Sequence, residues 1–434
     1  MSRPLAVICL AAGMGKRTKV SMPKVMLPIC GRTLAASALL AAAELEPDQV
    51  VVVLHNQMER VQASLEAALS GRLKALTFVD QGAPKGTGHA VQVGMEPLRD
   101  FVGDVIVIYG DCPLMTAATL TELRELRGEA ACSALTAYPD DPAGFGRILR
   151  DDAENFVGIR EQRDCSPAED AIQEVNCGFY SFDSDRLRPA LANLKPTNAQ
   201  GEYYLTDVIS DFVAQGEVLP TMEAVDVSEV QGVNSLTELA VAQAIMQERI
   251  LLRHLDNGVM ITDPAATWID ADVEIGRDTR ILPGTVIGAG CRVGAGCEVG
   301  PFAHLRGGSV LEDGAVIGNF VELKQAHVGA GAKAKHLTYL GDAVVGAGAN
   351  IGCGTITANY DGVNKHQTKI GDRAFLGSGT VVCAPAEVGD GAMTGAGSIV
   401  KPGTTIKAQE LWLGVPARYL RQRGAPPKKG DQEA

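Results

Sequence analysis

Basic and hydroxyl-bearing side chains fall beside glycine-rich turns at several points in the first half of the chain. Leu10-Ala11-Ala12-Gly13-Met14-Gly15-Lys16-Arg17 leads to Pro23-Lys24. Glycines at 13 and 15 let the backbone bend tightly and present N–H groups to phosphate oxygens, while Arg17 and Lys24 place positive charge where a pyrophosphate leaving group needs it. The turn fits neither a G-x-G-x-x-G pattern nor a Walker loop, so a plain tight turn stays open as the alternative. Gln81 precedes Gly86-Thr87-Gly88-His89, a second turn whose hydroxyl can face a base or sugar; His89 itself reads as structural. Tyr109-Gly110-Asp111 ends in a lone carboxylate, either the cap of a following helix or a Mg2+ ligand bridging phosphates.

The second half carries a separate set of polar residues: Arg306 and Lys324, then His336 to Asp342, then Asn359 to Lys365. Taken singly, Arg306 and Lys324 read as exposed rungs and His336 as a surface histidine. Together they mark three interruptions in a region that is otherwise monotonous.

The monotony is a six-residue step. Ile269, Ile275, Ile281, Ile287, Val293, Val299, Leu305, Leu311, Ile317 and Leu323 follow it strictly, and Val328, Leu340, Val345, Ile351, Ile370, Leu376, Val382 and Val388 continue it with shifts in register. Period two means a half-buried strand and period 3.6 a helix. Period six needs a chain that turns a corner every few residues and points one aliphatic side chain inward per flat face, a three-sided parallel β-helix of about eight coils. The first half alternates instead between continuous aliphatic runs (Leu5 to Leu10, Val50 to Leu54, Val105 to Tyr109) and helical stretches such as Leu34 to Leu45. That pattern predicts an α/β domain with a Rossmann-like, mostly parallel sheet whose ligand sits beyond the carboxyl ends of the strands. The expected domains are therefore 1–234, a helical arm over 235–257, the prism over 258–415 and a polar tail over 416–434.

Composition bounds the partners. A net charge of −13 over 434 residues argues against a nucleic-acid binder. The ten cysteines form no C-x-x-C pair and read as buried thiols, and no apolar run approaches membrane-spanning length, so a cytoplasmic protein is expected. Flat glycine-rich faces leave surface that one chain cannot cover, and the resemblance to other hexapeptide-repeat proteins implies a homotrimer.

The ordered segments LAAGMGKRTKVSMPKVM, QGAPKGTGHA, YGDCPL, GFGRI, EVNCG, NAQGEYYLTD and GVN, followed by HLTYLGD and NYDG, resemble the bacterial family of N-acetylglucosamine-1-phosphate uridylyltransferases joined to glucosamine-1-phosphate N-acetyltransferases. The resemblance covers essentially the whole chain. It implies a left-handed prism, UTP and N-acetylglucosamine 1-phosphate as substrates of the first domain, and glucosamine 1-phosphate and acetyl-CoA as substrates of the second. Carried over residue by residue, it implies that Leu10, Ala11, Ala12, Gly13, Lys24, Gln81, Gly86 and Thr87 hold the nucleotide. Tyr109, Gly110, Gly146, Glu161 and Asn176 would hold the sugar phosphate side, and Asp111 and Asn234 would coordinate Mg2+. In the prism it implies His336 as general base and Arg306, Lys324, Tyr339 and Lys365 as sugar-phosphate ligands. Asn350, Cys353, Asn359, Tyr360, Ser378 and Ala396 would orient the amine or contact acetyl-CoA. The chain departs from the family pattern at Lys16, Cys177, Cys353 and Gly414. Two other readings stay open: a related enzyme using another sugar 1-phosphate or nucleotide such as dTTP, and a prism that serves only as a trimerisation scaffold.

Overall fold

Alternate residues of single strands feed two different cores. Leu5, Val7 and Cys9 join one buried cluster, and Ala6, Ile8 and Leu10 join the other. Val50, Val52 and Leu54 divide from Val51 and Val53 in the same way. A strand that is apolar at every position is what a sheet covered by helices on both faces requires. The computed structural model describes residues 3–13 and 16–422. The chain divides into two units, Met1–Ile245 and Met246–Ala434.

Across the sheet of the first unit run Thr221–Glu223, Cys132–Ala137, Val175–Asp183, Asp104–Tyr109, Leu5–Leu10, Gln49–Leu54 and Leu76–Asp80. The last four are parallel neighbours, and Val175–Asp183 runs antiparallel to the strands on either side of it. Helices Leu34–Ala43, Met58–Leu69 and Ala117–Arg127 supply side chains to one core, and Thr87–Met95, Ser184–Asn193 and Thr206–Ala214 to the other. This order brings the carboxyl ends of Leu5–Leu10, Leu76–Asp80 and Asp104–Tyr109 to one edge. Gly13, Gln81 and Asp111 follow directly from them.

The expected arm is one helix, Leu236–Asp256. Beyond it, three sheets of ten, eight and eight short strands make the three faces of a prism. Nine of the ten hexad residues are buried, and only Ile275 is half-buried. A second ladder of small residues, Thr285, Cys291, Cys297, Ala303, Ser309 and Ala315, fills the corners, which accounts for two of the cysteines. All ten thiols are free; seven are buried, whereas Cys165 and Cys383 are half-buried and Cys353 is exposed, so the expectation of burial fails at those three. Cys353 and Cys383 lie outward on the prism, away from its inward ladder, and Cys165 follows the short turn Gln162–Asp164 of the sheet unit. The last strand, Arg418–Gln422, folds back antiparallel on Glu410–Leu413, so ordered structure continues past 415. Residues 423–434 of the expected polar tail lie outside the described residues.

The irregularities of the prism stack. Arg280 pairs with Glu298 and Glu298 with Val316, eighteen residues apart, but Val316 pairs with Lys333 and Lys333 with Asn350, seventeen apart, and Asn350 with Phe375, twenty-five apart. Inward residues Leu323 and Val328, and again Leu340 and Val345, stand five apart instead of six. Both deletions and the insertion between Ile356–Ala358 and Thr368–Ile370 fall between the second and third faces, in successive coils. One corner of the prism is thereby remodelled along three consecutive rungs.

Candidate active sites

In the first unit a cleft of about 630 Å3 opens at the edge described above, lined by Arg17, Thr87, Tyr109, Asp111, Gly146, Glu161, Asn176 and Asn234 among others. Asp111 is set by its backbone: Gly110 N donates to Leu10 O at 3.0 Å and Val233 N to Asp111 O at 2.8 Å. Asn234 is set by the start of the long helix. Its backbone N–H donates to Glu238 Oε2 at 2.5 Å, Glu238 N donates to Ser235 Oγ at 3.2 Å, and Asn234 Nδ2 donates to Gly232 O at 3.1 Å. Lys24 joins the two expected metal ligands, donating to Asp111 Oδ2 and, at 2.9 Å, to Asn234 Oδ1. Two hard oxygen ligands thus converge on a cation, so the donor set fits Mg2+ chemistry. No group of three or more His, Cys, Asp or Glu suited to a metal occurs among the described residues.

The sugar side of the cleft is built by the antiparallel strand Val175–Asp183. Asn176 pairs with Gly146, and its Oδ1 accepts from Tyr180 Oη at 2.9 Å and Gly178 N at 3.1 Å. Gly178 has φ +81°, and a Cβ there would lie 2.7 Å from the Tyr109 ring, so no side chain fits. Glu161 accepts from Thr206 Oγ1 at 3.1 Å. Burial raises its carboxyl above the usual range; the Thr206 bond opposes this, and Asp164 and Asp207 add to it. Gln81 and Gly86 meet through a 3.1 Å bond from Gln81 Nε2 to Gly86 O. A Cβ on Gly86 would stand 2.5 Å from Tyr203 O. The Thr87 hydroxyl accepts from Leu205 N at 3.1 Å, which uses one of its two lone pairs and leaves its proton to be given. His89 lies 3.4 Å from Gln81 Nε2, with burial lowering its pKa. Leu10, Ala11 and Ala12 are buried and Gly13 is exposed. Ser235 and Glu238, absent from the expected set, had a signal: Ser-x-x-Glu opening a helix.

In the second unit the expected residues occupy two corners. His336 ends Lys333–His336 on the first face, and its Nδ1 lies 3.0 Å from Asn319 Oδ1, its partner one coil below. An amide oxygen there holds the proton on Nδ1 and leaves Nε2 with a lone pair. Up the same corner, Gly354 N donates to His336 O, Gly379 N to Cys353 O and Gly397 N to Ser378 O, so His336, Cys353, Ser378 and Ala396 form one exposed rail. Asn350 sits on the same face, paired with Lys333.

The remodelled corner holds the other set. Arg306 is stacked on Lys324, and Lys324 on Gly341. Arg306 Nη1 donates to Glu322 Oε1 at 3.1 Å. Lys324 Nζ donates to both oxygens of Asp342, at 3.0 and 2.9 Å, and Asn359 Nδ2 donates to the same carboxylate. Burial works against ionisation of Asp342, but the Lys324 and Asn359 hydrogen bonds outweigh it and hold the carboxyl below its ordinary range. Tyr339 lies between the corners, with its hydroxyl over Gly341, where a Cβ would come within 2.5 Å. The inserted loop closes on itself through a bridge between Tyr360 and Lys365, both exposed. Asn319 and Asp342 are thus two positioning groups absent from the expected set. Their partners are set by coil register, seventeen or eighteen residues away.

A model of the MobA-like NTP transferase domain matches residues 7–206, and a model of six bacterial transferase hexapeptide repeats matches residues 266–301, 291–325 and 367–407. The chain is 43% identical to the Bifunctional protein GlmU of Paramagnetospirillum magneticum, covering 99% of this chain and 100% of that one. It is 42% identical to those of Mycobacterium sp. strain KMS, covering 92% and 87%, and Thermobifida fusca, covering 92% and 90%. The chain belongs to the bifunctional GlmU family. The nucleotidyltransferase match falls on the sheet unit and the hexapeptide match on the prism, which is the parallel β-helix expected from the hexads, left-handed as the resemblance implies. No helix among the described residues is long and apolar enough to cross a membrane.

Proposed function

We infer that the chain makes UDP-N-acetylglucosamine in two steps, acetylating glucosamine 1-phosphate on the prism and uridylylating the product in the sheet unit. The observation that carries this is the coincidence of two transferase models with two units that each gather a distinct polar site.

In uridylyl transfer, a phosphate oxygen of N-acetylglucosamine 1-phosphate attacks the α-phosphorus of UTP and pyrophosphate leaves. The phosphate dianion is already a nucleophile, so catalysis is positioning and charge neutralisation and needs no general base. Arg17 and Lys24 neutralise the phosphates, and Tyr109, Gly146, Glu161 and Asn176 seat the sugar. Gly110 sets the turn to Asp111. Bound Mg2+, held by Asp111 and Asn234, would add charge neutralisation between the phosphates. Leu10 to Gly13, Gln81, Gly86 and Thr87 hold the nucleotide.

In acetyl transfer the ammonium of glucosamine 1-phosphate cannot attack a thioester. His336 Nε2 takes its proton, with Nδ1–H held by Asn319, and the free amine attacks the carbonyl carbon of acetyl-CoA. The tetrahedral oxyanion draws on Ser378 and neighbouring backbone N–H groups; as it collapses the C–S bond breaks, the CoA thiolate takes the proton His336 holds, and the nitrogen gives its remaining extra proton to the freed imidazole. Arg306, Lys324, Tyr339 and Lys365 bind the sugar phosphate; Asn350, Cys353, Asn359, Tyr360 and Ala396 orient the amine and the coenzyme. The two corners come together when a neighbouring copy in a homotrimer brings one against the other. Ten free thiols and metabolites such as UTP and acetyl-CoA support a cytoplasmic location.

Incubation with each pairing of amino or acetamido sugar 1-phosphate and nucleoside triphosphate, with products identified by mass, tests the reading. UDP-N-acetylglucosamine from glucosamine 1-phosphate, acetyl-CoA and UTP is expected, and a nucleotide preference for dTTP refutes the uridylyl assignment. His336→Ala abolishes acetyl transfer; undiminished transfer refutes its role as base.

A further inference from the structure

Lys24 is an unusual lysine for a phosphate ligand, because the side chain is only 9% exposed and its ammonium is already engaged on both sides. One hydrogen bond runs to Asp111 Oδ2 and another, at 2.9 Å, to Asn234 Oδ1. Neither acceptor is loose. The Asp111 backbone is held by Val233 N donating to its carbonyl O and its Oδ1 accepts from Cys112 Sγ at 3.8 Å, and the Asn234 amide is oriented by its own Nδ2 donating to Gly232 O at 3.1 Å, which turns Oδ1 toward the ammonium. Lys24 itself starts a short turn in which Met26 N donates to Pro23 O at 2.9 Å and Leu27 N to Lys24 O at 3.0 Å.

We propose that Lys24 is a resident cation of the nucleotide site: its ammonium occupies the place between Asp111 and Asn234 and yields it only when a metal arrives together with a triphosphate. This rests on the reading of Asp111 and Asn234 as metal ligands. The Asp111 side chain, 19% exposed at the wall of the cleft, is partly desolvated, and the ammonium supplies its counter-charge in the substrate-free enzyme. Two protein oxygens leave most of a divalent ion's shell to be completed with phosphate oxygens and water. A free ion must therefore expel the ammonium and leave it without an anion. A metal bound to triphosphate offers the displaced ammonium the phosphates in exchange, so the same charge serves the metal site first and the leaving group afterwards. Metal and nucleotide binding are coupled by a single side chain.

The test is Mn2+ binding to the full-length, substrate-free chain, read from the electron paramagnetic resonance of free Mn2+, with thermal unfolding run alongside. Lys24→Met is expected to bind Mn2+ about tenfold or more tightly than the unmodified chain, since a like charge has been removed from the site. Lys24→Arg, which keeps the charge, is expected to show no gain. If Lys24→Met does not fold, Lys24→Gln removes the charge while keeping a donor for both oxygens. No gain in the folded neutral variant overturns the displacement. Adding Asp111→Asn to the neutral variant is expected to erase the gain. A gain that survives Asp111→Asn means the ion binds elsewhere and overturns the reading of Asp111 as a ligand. No gain from neutralising Lys24, with Asp111→Asn weakening Mn2+ binding in the unmodified chain, overturns the displacement alone.

Discussion

At the residue scale, each proposed catalytic group depends on a neighbour that touches no substrate. His336 can act as a base only if Nε2 carries the lone pair, and Asn319 Oδ1, 3.0 Å from Nδ1, selects that tautomer. Asn319→Ala should lower kcat for acetyl transfer roughly tenfold or more, change its pH profile, and leave the unfolding temperature and uridylyl transfer alone. A purely structural role for Asn319 would reverse that pattern. Asp342 does the same for binding, as the shared acceptor of Lys324 and Asn359. Asp342→Ala should raise KM for glucosamine 1-phosphate by roughly tenfold with a smaller change in kcat, measured by steady-state kinetics. Asn319 was not legible in the chain, and of Asp342 only its place at the end of the His336 to Asp342 segment was. His336 and the glycine-rich turns were, because their chemistry shows in residue type; Asn319 and Asp342 gain theirs only from which rung lies next to which. Lys24 and Asp111 meet across 87 positions of sequence, a contact made by the sheet order.

At the element scale, the hexads disclosed the prism because one inward residue per face is a period no helix or strand shares. Leu305 is fully buried in that ladder, and Leu305→Ala should cost roughly 3 kcal/mol, read by urea unfolding of the prism. The insertion over 359–365 was also visible as a delayed aliphatic position. That the two one-residue deletions share its corner was not, since a five-residue step looks the same on any corner until the coils are aligned. The long helix adds a pH dependence. His254 is 4% exposed with Nε2 unpartnered, and burial, with a contribution from Arg253, lowers its pKa to about 4. Above pH 6.5 neither folded nor unfolded chain holds the proton. As pH falls from there toward 4 only the unfolded chain takes it up, so stability falls with pH. Between pH 7 and pH 5 the loss should be roughly 2 kcal/mol, and His254→Leu should remove that slope. An unchanged slope in the variant assigns it to another group.

At the scale of the whole molecule, the placement of the acetyl-transfer residues decides how many chains make one site. His336, Cys353, Ser378 and Ala396 run along one corner of the prism, while Arg306, Lys324 and the Asn359 to Lys365 loop occupy the next. If a neighbouring copy in a closed ring supplies the second corner, two dead variants can rescue each other. His336→Ala chains retain the Lys324 corner, and Lys324→Ala chains retain the His336 corner. Co-expressed in equal amounts, they should assemble mixed trimers in which about a quarter of the sites draw both intact residues from different chains. Acetyl transfer should then return to about a quarter of the unmodified rate, while each variant alone stays inactive. If both residues of a site come from one chain, no mixture restores anything, because every chain carries one defect. Zero rescue from trimers shown by mass to be mixed therefore places the whole acetyltransferase site on a single prism.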